Sequence, residues 1–252
     1  MKTVILGDTH GRPHWKQIVA NENPDRVIFI GDYFDAYDDY TAAEQMHNFK
    51  EIIDYKETSF TNEGTDNQHK TNVIILIGNH DYHYMRGVTE MYSGYQHGAR
   101  SAIEQLLEDN KHHMQMCYQL DNYLFSHAGI SHDWLLIHGY SVEHSVVEYV
   151  NDLWKYTPRV FGFAGYDPYG DSVISSPIWI RPKSLQRANY DSLRDKYIQV
   201  VGHTQQRQID REGKSTGGRY YYIDALGTSG EYMIKENETI KFNTYKNETT
   251  TT

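Results

Sequence analysis

The chain has one cysteine, Cys117, and six prolines in 252 residues. A lone thiol excludes an internal disulfide framework and any zinc site built on cysteine, and it fits a reducing compartment. No apolar run approaches the length of a membrane span. Val4-Ile5-Leu6 is too short for the apolar core of a signal peptide and runs straight into Gly7-Asp8. The expectation is a cytoplasmic protein with no membrane partner. Basic residues are also scarce: 24 Lys and Arg stand against 34 Asp and Glu, a formal charge of −10 with the 14 histidines neutral. Non-specific nucleic-acid affinity is driven by cations, so this deficit argues against a protein that coats phosphate backbones, though not against a nucleotide substrate. The 22 tyrosines leave two origins open, a stacking or interface surface and a codon-biased genome.

What is present is a series of short apolar runs, each ending in Gly and a polar cluster. Val4-Ile5-Leu6 leads to Gly7-Asp8-Thr9-His10-Gly11, Val27 to Ile30 leads to Gly31-Asp32, and Val73 to Ile77 leads to Gly78-Asn79-His80-Asp81. Tyr123-Leu124-Phe125 leads to Ser126-His127-Ala128-Gly129, and Ile198 to Val201 leads to Gly202-His203-Thr204. Continuous β-branched runs are the pattern of strands buried on both faces. Ligands bind outside the carboxyl ends of such strands, so five strands are expected to deliver their polar ends to one rim.

Helical spacing separates the runs over Pro13–Ala20, Ala99–Glu108 and Ser141–Trp154, and Thr41-Ala42-Ala43-Glu44 is a capping box opening another helix. After His203, Arg219–Asp224, Glu231–Lys235 and Thr239–Tyr245 are expected to form a closing β meander. The fold class is therefore α/β or α+β, with two packed sheets flanked by helices in one domain over 1–245. Glu57–Thr71 is expected to be a surface loop and 246–252 a frayed tail.

The rim residues Asp8, His10, Asp32, Asn79, His127 and His203 are hard oxygen and imidazole donors, suited to Mn, Fe or Zn. Six donors are too many for one tetrahedral ion but serve two if a carboxylate bridges them, an arrangement used for displacement at phosphorus. Asp32, between the other two clusters, is the natural bridge.

These motifs, in this order, resemble the calcineurin-like metallophosphoesterase superfamily from Lys2 to about Leu226, and within it the PPP-type protein phosphatases and the symmetrical diadenosine tetraphosphatases. The resemblance implies a four-layer αββα sandwich of two mixed sheets. It implies Asp8 and His10 on a first divalent metal, Asp32 bridging, and Asn79, His127 and His203 on a second. Manganese is the expected metal, with Fe, Zn or Ni as alternatives. His80 matches the family's general acid, Asp35 the carboxylate that orients it, and Arg181 a phosphate-binding arginine. A dinuclear phosphoester hydrolase follows, most of all a phosphomonoesterase using a metal-activated hydroxide on a phosphoprotein, nucleotide or small phosphoester. A nucleotide hydrolase or phosphodiesterase is the alternative, and a non-catalytic metal-binding scaffold the rival from another class.

Two positions depart from the PPP pattern. Ala36-Tyr37 stands where these enzymes carry Arg-Gly, removing one phosphate clamp, and Asp81 replaces the usual Glu. Gly202-His203-Thr204 lacks the second His of the phosphodiesterase branches. Arg86 leaves two readings, a substitute clamp from the next loop and an exposed arginine on a helix, of which the second is expected, and His83, His132, His138 and His144 are expected to have no part in the site. Tyr33, Tyr37, Tyr40, Tyr82 and Tyr84 flank the motifs and either wall the site or pack. Oligomeric state is not legible here.

Overall fold

The structure, a computed structural model, describes residues 1–37, 40–61, 70–163, 171–188, 193, 195–209 and 219–245. In chain order the strands are β1 (Lys2–Leu6), β2 (Arg26–Phe29), β3 (Asn72–Leu76), β4 (Met114–Gln115), β5 (Cys117–Leu120), β6 (Tyr123–Ser126), β7 (Ile198–Val201), β8 (Tyr220–Tyr222), β9 (Glu231–Glu236) and β10 (Thr239–Thr244). The helices are α1 (His14–Glu22), α2 (Ala42–Thr61), α3 (Asn79–Tyr82), α4 (Arg100–Asn110), α5 (His132–Ile137), α6 (Val146–Tyr156) and α7 (Pro182–Arg187).

Two mixed sheets result, in the orders β10-β9-β1-β2-β3-β4 and β5-β6-β7-β8. In the first, β1, β2 and β3 are parallel and in register through Val4, Val27 and Val73, so their carboxyl ends stop level with one another. In the second, β6 and β7 are parallel with Phe125 opposite Val200. The pleat sorts the side chains. Val4, Leu6, Val27 and Phe29 pack with Trp15 of α1 and Phe49 and Ile52 of α2. Ile5, Ile28 and Ile74 turn the other way and meet Phe125 and Val200 across the inter-sheet space. Beyond the second sheet, Leu185 of α7 covers Val201 and Tyr222. Each large apolar side chain removed from water in this way contributes roughly 1.5–3 kcal/mol. The expected sandwich of two sheets between helices is the architecture observed.

Several local expectations change. The five polar strand ends come from both sheets, three from the first and two from the second. The closing meander is divided: β8 joins β7 in the second sheet, and β9 and β10 form a hairpin on the edge of the first. Its apolar residues face different layers, which a β-period pattern does not distinguish. Ser141–Ser145 is not helical, because Ser145 caps α6 with its hydroxyl, accepting from Glu148 N at 3.4 Å. The segment expected to loop from Glu57 is helical to Thr61; 62–69 and the tail 246–252 lie outside the described residues. The Thr41 box is formed, with Thr41 N donating to Glu44 Oε2 at 2.8 Å and Glu44 N to Thr41 Oγ1 at 3.3 Å. Among the described residues no helix is long and apolar enough to cross a membrane.

Candidate metal centre

The strand ends converge on a cavity of about 620 Å³ whose wall includes Asp8, His10, Asp32, Asn79, His80, Arg181 and His203. His127 lies behind it, fully buried. Seven non-glycine residues among those described have positive φ: His10, Asn23, Asp32, Asp35, Asp121, His203 and Asn237. Asn23 caps the end of α1, and Asp121 and Asn237 sit in hairpin turns. The other four belong to the predicted site. Left-handed backbone costs an L-residue roughly 1–2 kcal/mol, and such strain gathers where side chains must be aimed.

Each ligand-type histidine is tied by one ring nitrogen to a main-chain carbonyl. His10 Nδ1 donates to Phe34 O at 2.6 Å, His127 Nδ1 to Ile30 O at 3.1 Å, and His203 Nε2 to Trp179 O at 3.1 Å. In a neutral imidazole this commits the single proton and leaves the second nitrogen as an acceptor. Burial keeps His10 neutral, down at about 4, and burial together with the Arg181 charge holds His203 well below the usual range.

The second nitrogens then face other acceptors. His127 Nε2 and His203 Nδ1 each stand 2.9 Å from Asn79 Oδ1. Asp32 Oδ2 lies 3.3 Å from His127 Nε2 and 3.8 Å from His10 Nε2. Asp8 Oδ2 accepts from His203 N at 2.9 Å, whereas its Oδ1 is buried with no hydrogen-bond partner among the described residues. Lone pairs converging without protons between them are a donor set for cations.

Charge points the same way. Burial, reinforced by the charges of Asp224 and Asp32, pushes Asp8 well up, and burial with Asp32 pushes Asp224 to about 6. The loops also come too close for larger residues. A Cβ on Gly78 would lie 2.1 Å from Asp32 Oδ1, and one on Gly202 would lie 2.1 Å from Asp8 Oδ1.

His80 Nδ1 lies 2.8 Å from Asp35 Oδ2, and its main-chain N–H donates to Asp32 Oδ1 at 2.9 Å. Burial disfavours the imidazolium, but Asp32 and then Asp35 raise its pKa above the ordinary value. Arg181, in a turn leading into α7, donates to His203 O at 3.2 Å and Thr204 Oγ1 at 3.1 Å. All nine expected site residues are therefore brought together. Arg86 is exposed and outside the cavity, but in a turn after α3 and not on a helix as expected, with Nε 3.4 Å from Glu104 Oε1.

Sequence reasoning missed others. Arg12 and Asp224 line the cavity. Asp224 follows β8 as Asp8 follows β1, so the run-then-acid signal was present there. Asp81, noted only as a departure, accepts from Asp32 N and Gly78 N at 2.8 Å and Tyr33 N at 2.7 Å, tying the second and third loops together. His83, expected to be outside the site, has Nε2 2.7 Å from Asp35 Oδ2. Of the five flanking tyrosines, Tyr37 lines the cavity; Tyr33, Tyr82 and Tyr84 are buried, with hydroxyls donating to Leu76 O, Pro158 O and Asp35 Oδ1.

The family model described as calcineurin-like phosphoesterase matches residues 1–226. Among solved structures the chain is similar to a cold-active protein-tyrosine phosphatase of a psychrophile, Shewanella sp., at 17% identity and a TM-score of 0.67, over 97% of this chain and 78% of that one. A further structure of a cold-active protein tyrosine phosphatase matches at 20% identity and a TM-score of 0.61, over 97% and 76%. At these identities the likeness concerns the fold. No curated protein matches the chain.

Proposed function

Because the chain belongs to the calcineurin-like phosphoesterase family and is a phosphoester hydrolase, we propose that it is a dinuclear phosphomonoesterase of the protein-phosphatase-like kind. One observation carries this: the acceptor nitrogens of His127 and His203 facing Asn79 Oδ1, beside an Asp32 oxygen that His127 shares with His10. Asp8, His10 and Asp32 would hold one divalent cation and Asp32, Asn79, His127 and His203 the other. When bound, the pair, manganese foremost, would activate a water and offset charge on the phosphoryl group.

The remaining work falls to the chain. Arg181 offers a planar fork of donors to the non-reacting phosphoryl oxygens. The water oxygen, having released one proton to solvent, bonds to phosphorus as the bond to the leaving oxygen breaks, and His80 gives its proton to that leaving oxygen. Asp35 holds the imidazole so that Nδ1 is occupied and Nε2 is left to the substrate. The single buried thiol of Cys117 supports a reducing, cytoplasmic setting.

Tyr37, Tyr92 and Trp179 on the cavity wall favour a planar group beside the phosphate. They fit an aryl phosphate such as phosphotyrosine, the substrate class that the name of the Shewanella enzyme carries, and equally a base in a nucleotide hydrolase. The test is a manganese-supplemented panel of p-nitrophenyl phosphate, phosphotyrosine and phosphoserine peptides and diadenosine tetraphosphate, with products identified. Free phosphate from the monoesters is expected. Release of nucleotides without monoesterase activity would favour the second reading, and no turnover of any of them would overturn both. Ala36→Arg, run in parallel, is expected to raise phosphopeptide turnover by restoring the second clamp.

A further inference from the structure

Asp35 has more partners than the pairing with His80 requires. The oxygen that receives His80 Nδ1 at 2.8 Å also meets His83 Nε2 at 2.7 Å. Its other oxygen accepts from Tyr84 OH at 2.6 Å and Gln96 Nε2 at 3.3 Å. His83 is fully buried and does not line the cavity. It follows the four-residue helix α3, so it lies three residues beyond His80 on the same face. Its ring is clamped parallel to Tyr92 at 5.5 Å and edge-on to Tyr84 at 4.4 Å and Tyr95 at 4.9 Å. In an imidazole this enclosed neither ring nitrogen has a hydrogen bond of full geometry among the described residues, and the 2.7 Å approach of Nε2 to Asp35 Oδ2 is its polar contact.

We propose that His83 is a positioning residue, which pins the Asp35 carboxylate from the side away from the cavity so that His80 is held in register with the leaving oxygen. The role rests on the reading of His80 as the proton donor. A carboxylate oxygen gripped by one donor can swing about χ2. With two imidazoles steeply inclined to each other on one oxygen, and Tyr84 and Gln96 on the second, its rotation is closed and the His80 ring inherits the fixed direction. His83 never touches substrate. Its effect is felt only where the leaving group must be protonated as the P–O bond breaks.

That dependence separates the role from general support of the fold. An alkoxide needs the proton and p-nitrophenolate hardly does, and a positioned general acid supplies roughly a hundredfold or more. His83→Phe keeps the aromatic packing and removes the contact, His83→Asn removes it with a polar side chain, and His83→Gln carries an amide N–H to the place of Nε2. With manganese present, kcat for a phosphoserine peptide or glycerol phosphate is expected to fall about ten- to a hundredfold in the Phe and Asn variants. For p-nitrophenyl phosphate the fall is expected to stay within about threefold, and Gln is expected to restore most of the alkyl activity. Equal losses on both leaving groups, or no loss on either, would overturn the role while leaving the phosphoesterase intact. If the Phe variant does not fold, the Asn and Gln pair gives the same comparison. Wild-type protein that turned over neither ester would remove the phosphomonoesterase reading itself, and this proposal with it.

Discussion

Asp35 joins backbone strain, burial and charge at one residue. It sits at φ +58 with its side chain fully buried. Burial pushes its pKa up, but the hydrogen bond with His80 and the close approach of His83 outweigh this and bring it to about 2, against about 3.9 for an unfolded aspartate. A depressed folded value means that the ionised carboxylate stabilises the fold. The contribution, about 3 kcal/mol, is complete above pH ~4 and disappears as the pH falls through about 2. Denaturant unfolding between pH 2 and 5 is therefore expected to show a steeper acid loss for the wild type than for Asp35→Asn. Parallel curves would show that the carboxylate carries no such linkage.

At the cavity mouth, Tyr37 is 64% exposed, with its ring 5.9 Å from that of His10 and 6.2 Å from that of His80. Its hydroxyl is hydrogen-bonded to Ser93 Oγ at 2.8 Å. Aromatic contact of this kind is worth about 0.5–1.5 kcal/mol, so Tyr37→Ala is expected to raise KM for p-nitrophenyl phosphate roughly three- to tenfold. Glycerol phosphate, with no ring to lose, is the control.

Among the elements, the turns after the parallel strands decide whether the donors meet. Gly78 opens α3 against the loop that carries Asp32, and any side chain there would fall on Asp32 Oδ1 at 2.1 Å. The carboxylate cannot retreat far, because the Asp81 carboxylate accepts from both Asp32 N and Gly78 N. Gly78→Ala is thus expected to cost roughly 1–3 kcal/mol by overpacking and to lower bound manganese, read by elemental analysis of the purified protein. Full metal occupancy in that variant would mean the loops yield more easily than the contacts imply. In the second sheet, Ser131 caps α5 just beyond the His127 turn, accepting from Trp134 N at 3.0 Å and donating to Val173 O at 2.5 Å. Ser131→Ala is expected to lower stability by about 1 kcal/mol in denaturant melts.

For the molecule as a whole, the charge of −10 is partly an interior property. Asp8, Asp32 and Asp224 are buried together, and two dications would offset four of the ten charges. Cations bound only by the folded state add stability by mass action, about 2.7 kcal/mol for a site at a hundredfold excess over its Kd. Manganese is expected to raise the thermal midpoint by several degrees, chelator to reverse this, and Asp8→Asn to blunt the response in the same melts.

The sequence by itself determined what depends on near neighbours. Val4 to Leu6 and Val73 to Ile77 announce buried strands, the Gly-containing turns after them present the donors, and Thr41 with Glu44 marks a helix start. The six ligand-type residues of the expected site were legible because each stands in the polar turn after such a run, whereas His80, Asp35 and Arg181 took their expected roles from the family resemblance. Tertiary structure alone decided what depends on distant ones. It divided the closing strands between two sheets, because the faces they cover belong to residues far away in the chain. It brought His203 N to Asp8 across 195 residues. It chose the acceptor nitrogen of each histidine, since the carbonyls of Phe34, Ile30 and Trp179 that take the protons come from other segments. It also carried His83 to Asp35, because that carboxylate belongs to the second loop and meets His83 only when α3 packs against it.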